Sequence, residues 1–418
     1  MRVLMLSWEY TPHVVGGLGK HVVELVPPLI AEGVEVHLVT PRYGEGEAEE
    51  AIPGGNGQSR VYRVDAPGPT EDMSRMGLPD NFFMNCWRTN INLENRGNEL
   101  FKQGGFDLIH AHDWLVSFSA VALKNTNHSP LISTIHATEL GRNRGQLHEA
   151  MQHDIHNAEW WLTYESWRVI TTTRFMAQEI VSNFQLPANK LDIIANGIDP
   201  TRFEQLAGRD LTAFRATLAA PNEPIIFFVG RLVPEKGAQV LIEAAPLILQ
   251  EVPNARFVIA GTGGYRKAIE QRAQELGVAE RVNFLGFISD EDRDKLYKVG
   301  SVAVFPSLYE PFGIVALEAM AANTPVVVSD TGGLSEVVQL HETGIKVYPD
   351  DPASLAWGIT HTLQHPDWSS QRVDNARAAV YRDFLWPHIA EQTTAVYART
   401  ASEAQAQGWG KESRDNEV

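Results

Sequence analysis

One cysteine, Cys86, stands in the whole chain of 418 residues. That count excludes an internal disulfide and a thiolate metal cluster, and it makes a reducing compartment the expected setting. Long apolar runs are missing too. No stretch approaches the ~18 apolar residues of a membrane span, and the opening MRVLMLSWEYTPH is too short for a signal-peptide core. No transmembrane segment is expected, and a cytoplasmic location is the expectation that follows. Basic charge is scarce: 35 Lys and Arg stand against 52 Asp and Glu, a formal charge of -17. This balance argues against a surface for nucleic acid or an anionic membrane, yet it leaves room for a small basic pocket that holds a phosphate. No protein partner is evident from the residues.

What is present is globular, 44% hydrophobic and 21% charged, and long enough for two domains. RVLMLS (2–7), VEVHLVT (34–40), LIHAH (108–112), LISTIH (131–136), VITTT (169–173) and LDIIANG (191–197) read as strands separated by helical stretches. Residues 43–105 show no clean period beyond a strand at 61–65. A linker near 200–224 follows, and the alternation restarts with IIFFVG (225–230) and ARFVIAG (255–261), then RVNFLG, VAVFP, PVVVS and GIKVYP. The pattern predicts an α/β protein with two successive doubly wound, mainly parallel sheets. Such sheets bind ligands beyond the carboxyl ends of their strands, and two of them facing each other would set the main site in a deep cleft. The residues after 400 are polar and are expected to form a frayed tail, 401–418.

The loops after these strands carry the chemistry. Gly16, Gly17 and Gly19 sit between the first strand and first helix, where free backbone N–H groups can meet an anion or a sugar hydroxyl; an ordinary tight turn explains them equally well. Asp113 follows LIHAH and reads as a helix cap or as an acceptor contact. His136 ends another strand, where a structural role competes with a catalytic one. Arg142, Arg144 and Arg174 are candidates for an anion pocket, or for pairing with acids such as Glu139 and Glu149.

The second half is more informative. In FFVGRLVPEKG, Arg231 follows a strand and Lys236 stands at a helix entrance. Two cations five residues apart around a turn can clamp a diphosphate and stabilise the charge that grows on it as its bond to a sugar breaks. In SLYEPFGIVALEAM, Glu310 precedes a helix predicted to start at Pro311, Phe312, Gly313 and Ile314 offer backbone N–H groups to an oxyanion, and Glu318 lies within the helix. Gly332 and Gly333 read only as a turn.

The EPFG…E pattern from Glu310 to Glu318, together with GR…KG at 230–237, resembles the retaining glycosyltransferases of the GT-B fold, specifically glycosyltransferase family 4 and its glucan-synthase relatives, over essentially residues 1–400. The resemblance implies that Arg231 and Lys236 bind the donor diphosphate, Glu310 faces the donor sugar, Glu318 holds the ribose hydroxyls, and backbone near Phe287 and Ile288 contacts the base. It further implies that the loop with Gly16 and Gly17 approaches the donor phosphates and that His136 touches the transferred sugar. It also places 376–400 back on the first domain, giving an N-terminal acceptor domain at 1–200 and a donor domain at 201–375.

The finer resemblance divides. HATELGRNRG is similar to loops of archaeal-type glucan synthases and of sucrose-phosphate synthases. Val14 and Val15 stand where the main bacterial glycogen synthases have Lys-Thr, and the Asp-Thr-Gly-Gly-Gln run of sucrose-phosphate synthases is missing. The expectation is transfer of glucose from a nucleotide-glucose, UDP-glucose before ADP-glucose, to fructose 6-phosphate, with Asp113, Arg142, Arg144 and Arg174 on the acceptor. The alternatives are transfer to a glucan and a non-catalytic sugar-binding homologue. No cofactor beyond the co-substrate and no metal is expected, because no D-x-D run stands at a strand end and cations already supply positive charge. An epimerase or dehydrogenase would need G-x-G-x-x-G and Tyr-x-x-x-Lys, which are not placed here.

Overall fold

The structure, a computed structural model, describes residues 1–44, 46–54, 57–66 and 81–410. The chain divides into two compact units. One is Met1–Gly197 with the chain from Trp386 onward, the other Ile198–Leu385.

The first unit is built on β1 (Arg2–Leu6), β2 (Glu35–Arg42), β3 (Glu49–Ala51), β4 (Arg60–Asp65), β5 (Leu108–His112), β6 (Leu131–Ile135), β7 (Arg168–Thr171) and β8 (Leu191–Ile193). They lie in the order β3-β4-β2-β1-β5-β6-β7-β8, and among these strands only the β3–β4 pairing is antiparallel. Side chains alternate between two apolar clusters. Leu4, Leu6, Ile109 and Ala111 face one, and Val3, Met5 and Leu108 the other, so helices cover both faces. The helix Gly17–Ala31 packs with the C-terminal helix Trp386–Ala406, whose Trp386 indole donates to Glu24 Oε2 at 2.7 Å.

The second unit carries β9 (Ile225–Val229), β10 (Arg256–Ala260), β11 (Val282–Gly286), β12 (Val302–Phe305), β13 (Val326–Ser329) and β14 (Ile345–Val347). Their order is β11-β10-β9-β12-β13-β14 and every pairing is parallel. Ile226, Phe228, Phe257, Ile259, Val304 and Val327 centre its core.

Three readings change. The unperiodic segment before residue 105 holds a 21-residue helix, Phe82–Lys102. The terminal stretch is two helices, Pro366–Asp383 and Trp386–Ala406, and the chain returns to the first unit at Trp386, ten residues later than 376. The break falls where Phe384 accepts the N–H of Ile198 at 2.8 Å and where Pro387, lacking an N–H, suits the first turn of a new helix. The tail is ordered through 410: Trp409 packs on His128 and Trp167, and the Gly410 N–H donates to His128 O at 2.8 Å. Residues 411–418 lie outside the described residues.

Candidate functional site

In the second sheet the strand order reverses between neighbours β9 and β12, the position where open α/β sheets take ligands. The loop after β9 carries Arg231 and the 3-10 turn Pro234–Lys236, and the loop after β12 carries Ser307 to Gly313. The loops are stitched together: Leu308 and Tyr309 N–H groups donate to Glu235 O at 2.8 and 3.3 Å. Gly237 has φ 74, and a Cβ there would collide with the Pro306 carbonyl oxygen, so only glycine lets the loops close this far. Lys236 Nζ then reaches Glu310 Oε2 at 2.8 Å, and Ser307 Oγ donates to the same oxygen at 3.2 Å. The Gly333 N–H donates to Glu310 O at 2.8 Å, so the glycines read only as a turn anchor the carboxylate's backbone. Arg231 is more than half exposed, with Nη2 3.6 Å from Glu235 Oε1.

The helix begins at Ile314, three residues later than predicted, because Gly313 takes φ 102 and ends the turn that Pro311 and Phe312 occupy. Phe312, Gly313 and Ile314 therefore lead into a helix N-terminus, where the first N–H groups have no intrahelical acceptor. Glu318, one turn on, is buried. Arg202 Nη2 donates to its Oε1 and the Tyr297 hydroxyl to its Oε2, both at 2.8 Å. Phe287 is 84% exposed beyond β11, beside half-buried Ile288.

In the first sheet the order reverses between β1 and β5. The loop after β1 departs from expectation. Val15 and Gly16 N–H groups both donate to Glu9 Oε2, at 2.8 and 3.0 Å, so the protein's own carboxylate takes these amides. Gly17 is the first residue of the helix that follows. After β5, Asp113 adopts φ 60 and ψ 174, a strained conformation for a residue with a side chain, and caps no helix. Its Oδ1 instead accepts the His136 N–H at 2.7 Å, tying the ends of β5 and β6 together. Burial pushes its carboxyl up to about 7, against the opposing pull of the Arg142 charge.

Four imidazoles gather beside it. His110 sits between the Tyr397 hydroxyl at 2.6 Å and Thr134 Oγ1 at 2.7 Å, and His21 Nδ1 lies 2.7 Å from Asn196 Oδ1. His112 Nδ1 is 3.2 Å from His136 Nε2. Burial holds His21 down to about 4, His110 to about 3, and His112 and His136 well below the ordinary value. All four are neutral near pH 7. Nitrogens of His21, His112 and His136 lie within 4.8 Å of one another, the one grouping among the described residues that could hold a metal ion.

The three acceptor-side arginines are not alike. Arg142 is half-buried, 3.7 Å from Glu139 Oε2, and its charge acts on Asp113, Glu159 and His136. Arg144 is exposed in a left-handed turn, and Arg174 is exposed at the start of helix Arg174–Phe184. Sequence reasoning missed Glu9, Glu159 and Arg202. Glu159 is buried and accepts the Glu139 N–H on both oxygens, at 2.8 and 3.0 Å. Nothing in its helical context marks it, whereas Glu9, directly after a strand that opens onto glycines, could have been singled out.

Residues 15–202 match the family described as Glycosyltransferase Family 4, and residues 211–379 the one described as Glycosyl transferases group 1. The chain is 40% identical over 407 residues to an uncharacterized glycosyltransferase of Methanocaldococcus jannaschii, covering 95% of this chain and 98% of that one. It is 36% identical over 406 residues to a glycogen synthase of Mycobacterium tuberculosis, covering 95% and 94%. The solved sucrose-phosphate synthase of Thermosynechococcus elongatus superposes with a TM-score of 0.81 at 26% identity, covering 96% of this chain and 99% of that one. With two parallel-sheet α/β domains and these relatives, the chain belongs to glycosyltransferase family 4 and has the GT-B fold.

Proposed function

We propose that this chain transfers glucose from a nucleotide-glucose to an α-glucan with retention of anomeric configuration. The observation that carries the reading is the cradle around Glu310, in which Lys236 and Ser307 hold its carboxylate and the Gly333 amide holds its backbone carbonyl, at the switch point of the second sheet. In this reading the donor diphosphate lies against Arg231, Lys236 and the amides of Phe312, Gly313 and Ile314, where fixed positive charge meets charge that grows in the transition state. Glu310 supports the sugar, Glu318 the ribose, and the Phe287–Ile288 backbone the base. His136 contacts the transferred sugar, and of the two glycines Gly17 is the one assigned to the donor, because Glu9 accepts the Gly16 N–H. The acceptor hydroxyl attacks the anomeric carbon on the face from which the diphosphate leaves. The C1–O bond to phosphate breaks as the new C1–O bond forms, and the leaving phosphate takes the hydroxyl proton.

The choice of acceptor moves from fructose 6-phosphate to a glucan on two grounds. Identity to the glycogen synthase, 36%, exceeds that to the sucrose-phosphate synthase, 26%. The strand ends of the first sheet also gather carboxyl groups, Glu9, Asp113 and Glu159, and neutral imidazoles, groups that suit sugar hydroxyls better than a phosphate dianion. Arg142 favours the second reading, a sugar-phosphate acceptor, because its charge reaches into that same cluster. The test supplies labelled UDP-glucose or ADP-glucose with maltooligosaccharide, fructose 6-phosphate or glucose 1-phosphate. Labelled, lengthened oligosaccharide is the expected product. Label recovered only in a phosphorylated disaccharide would replace the glucan reading with the second one.

A further inference from the structure

Beside β14, the edge strand of the second sheet, lies a cavity of about 490 Å³ whose lining includes Asp330, Lys346, Tyr348, Asp351 and Trp357. Hydrogen bonds hold its frame. The Tyr348 N–H donates to Ser354 Oγ at 3.0 Å, and Asp351 Oδ1 accepts the N–H groups of Ala353 and Ser354, both at 2.9 Å, which caps the helix Pro352–Gln364. On that helix Leu355, Ala356, Gly358 and Ile359 are buried, whereas Trp357 faces outward. One turn on, the His361 ring stacks on the Trp357 indole, with centroids 5.2 Å apart and planes inclined by 21°. Lys346 Nζ lies 3.4 Å from Asp330 Oδ1.

Two large rings stand in water here, Tyr348 at 74% exposure and Trp357 at 48%. A single exposed aromatic is ordinary, but two that line one cavity together with charged side chains make a surface suited to a ligand. Asp330 and Asp351 outweigh Lys346, so the cavity disfavours phosphates and nucleotides. A neutral sugar suits it. The C–H face of a pyranose meets the negative face of an aromatic ring, and sugar hydroxyls donate to carboxylates and accept from an ammonium. We propose that this cavity is a second α-glucan site, which holds a segment of the polymer on Tyr348 and Trp357 and takes no part in the chemistry at Glu310. The proposal rests on the reading of an α-glucan as the acceptor. A polymer tethered in this way presents its chain ends at a raised local concentration, so the site would serve long glucans and not short ones.

The experiment measures binding of glycogen, by affinity electrophoresis, and of β-cyclodextrin, by calorimetry, to the full chain. β-Cyclodextrin is a closed ring of α-linked glucose with no chain end to extend. The parent, Tyr348→Ala, Trp357→Ala, the double variant and Glu310→Gln are compared, with melting temperatures to confirm folding. The parent is expected to bind both probes, and the double variant to bind them roughly tenfold or more weakly, the scale of a lost aromatic anchor. Glu310→Gln should bind as the parent does, and KM for maltotriose should stay within about twofold in Tyr348→Ala and Trp357→Ala. Parent-like binding in the double variant, from a chain that lengthens maltotriose, would overturn the second site and leave the acceptor reading standing. Binding lost in the double variant, from a chain that lengthens no oligosaccharide, would contradict the acceptor reading and still establish the site. A self-associating parent that Trp357→Ala turns into a monomer, with cyclodextrin binding unchanged, would make this face a contact between copies and overturn the proposal.

Discussion

Lys236 Nζ lies 2.8 Å from Glu310 Oε2, an ion pair that joins the loop after β9 to the loop after β12. In the proposed reading the two residues share one function, since the cation assigned to the diphosphate also orients the carboxylate assigned to the sugar. Lys236→Ala and Glu310→Gln should each lower kcat by roughly 10²-fold or more. The double variant should fall little further, because residues that act as a unit are not additive. A loss in the double variant equal to the product of the two single losses would show that they work independently.

Gly237 is the backbone hinge of that arrangement. Gly237→Ala puts a side chain at φ 74 and into the Pro306 carbonyl, so stability should drop by at least about 2 kcal/mol. Urea unfolding reads this directly, and a change under about 0.5 kcal/mol would contradict the packing described.

Acid stability follows from the buried cluster in the first unit. His21 has an ordinary value of 6.5 and a folded value of about 4, so its contribution is present above 6.5 and is lost as pH falls toward 4. Asp113 has an ordinary value of 3.8 and a folded value of about 7, so its contribution is full below 3.8 and is lost as pH rises toward 7. The two slopes oppose each other between about pH 4 and 6.5. His21→Gln should make the acid loss of stability shallower and Asp113→Asn should make it steeper, in unfolding measured from pH 4.5 to 7.5. Shifts of the same sign would contradict the assignment.

Arg174 separates the two acceptor readings. For a glucan acceptor, Arg174→Ala should leave KM for maltooligosaccharide within about twofold. For a sugar phosphate, loss of a charge-assisted contact should weaken acceptor binding by roughly 1.5–3 kcal/mol. Parallel KM measurements with maltooligosaccharide and fructose 6-phosphate decide between them.

Strands of both sheets were legible because parallel strands covered on both faces are short, continuous apolar runs, as in IIFFV of β9 and VVVS of β13. The helix Phe82–Lys102 was not legible because its inward face includes polar residues. Asn90 is buried, donating to Cys86 O and Leu115 O and accepting from Ser119, so the apolar period is broken where the helix meets the core. At the candidate site, residue types beside turns singled out Arg231, Lys236, Glu310 and Asp113 as candidates. Partnerships were not: Glu9 on the Gly16 amide, Asp113 on the His136 amide and Arg202 on Glu318 join residues that only the fold brings together. Asp113 as a helix cap was the natural local reading, and a tertiary hydrogen bond displaced it.

The stereochemistry of a lengthened oligosaccharide tests the central claim most directly. The chain would be incubated with maltooligosaccharide and UDP-glucose or ADP-glucose, and the new linkage read from its anomeric proton coupling by NMR. Retaining transfer at the Glu310 cradle predicts an oligosaccharide longer by glucose units joined through new α-linkages. A β-linkage, or donor consumption with no lengthened oligosaccharide from either nucleotide, would contradict it.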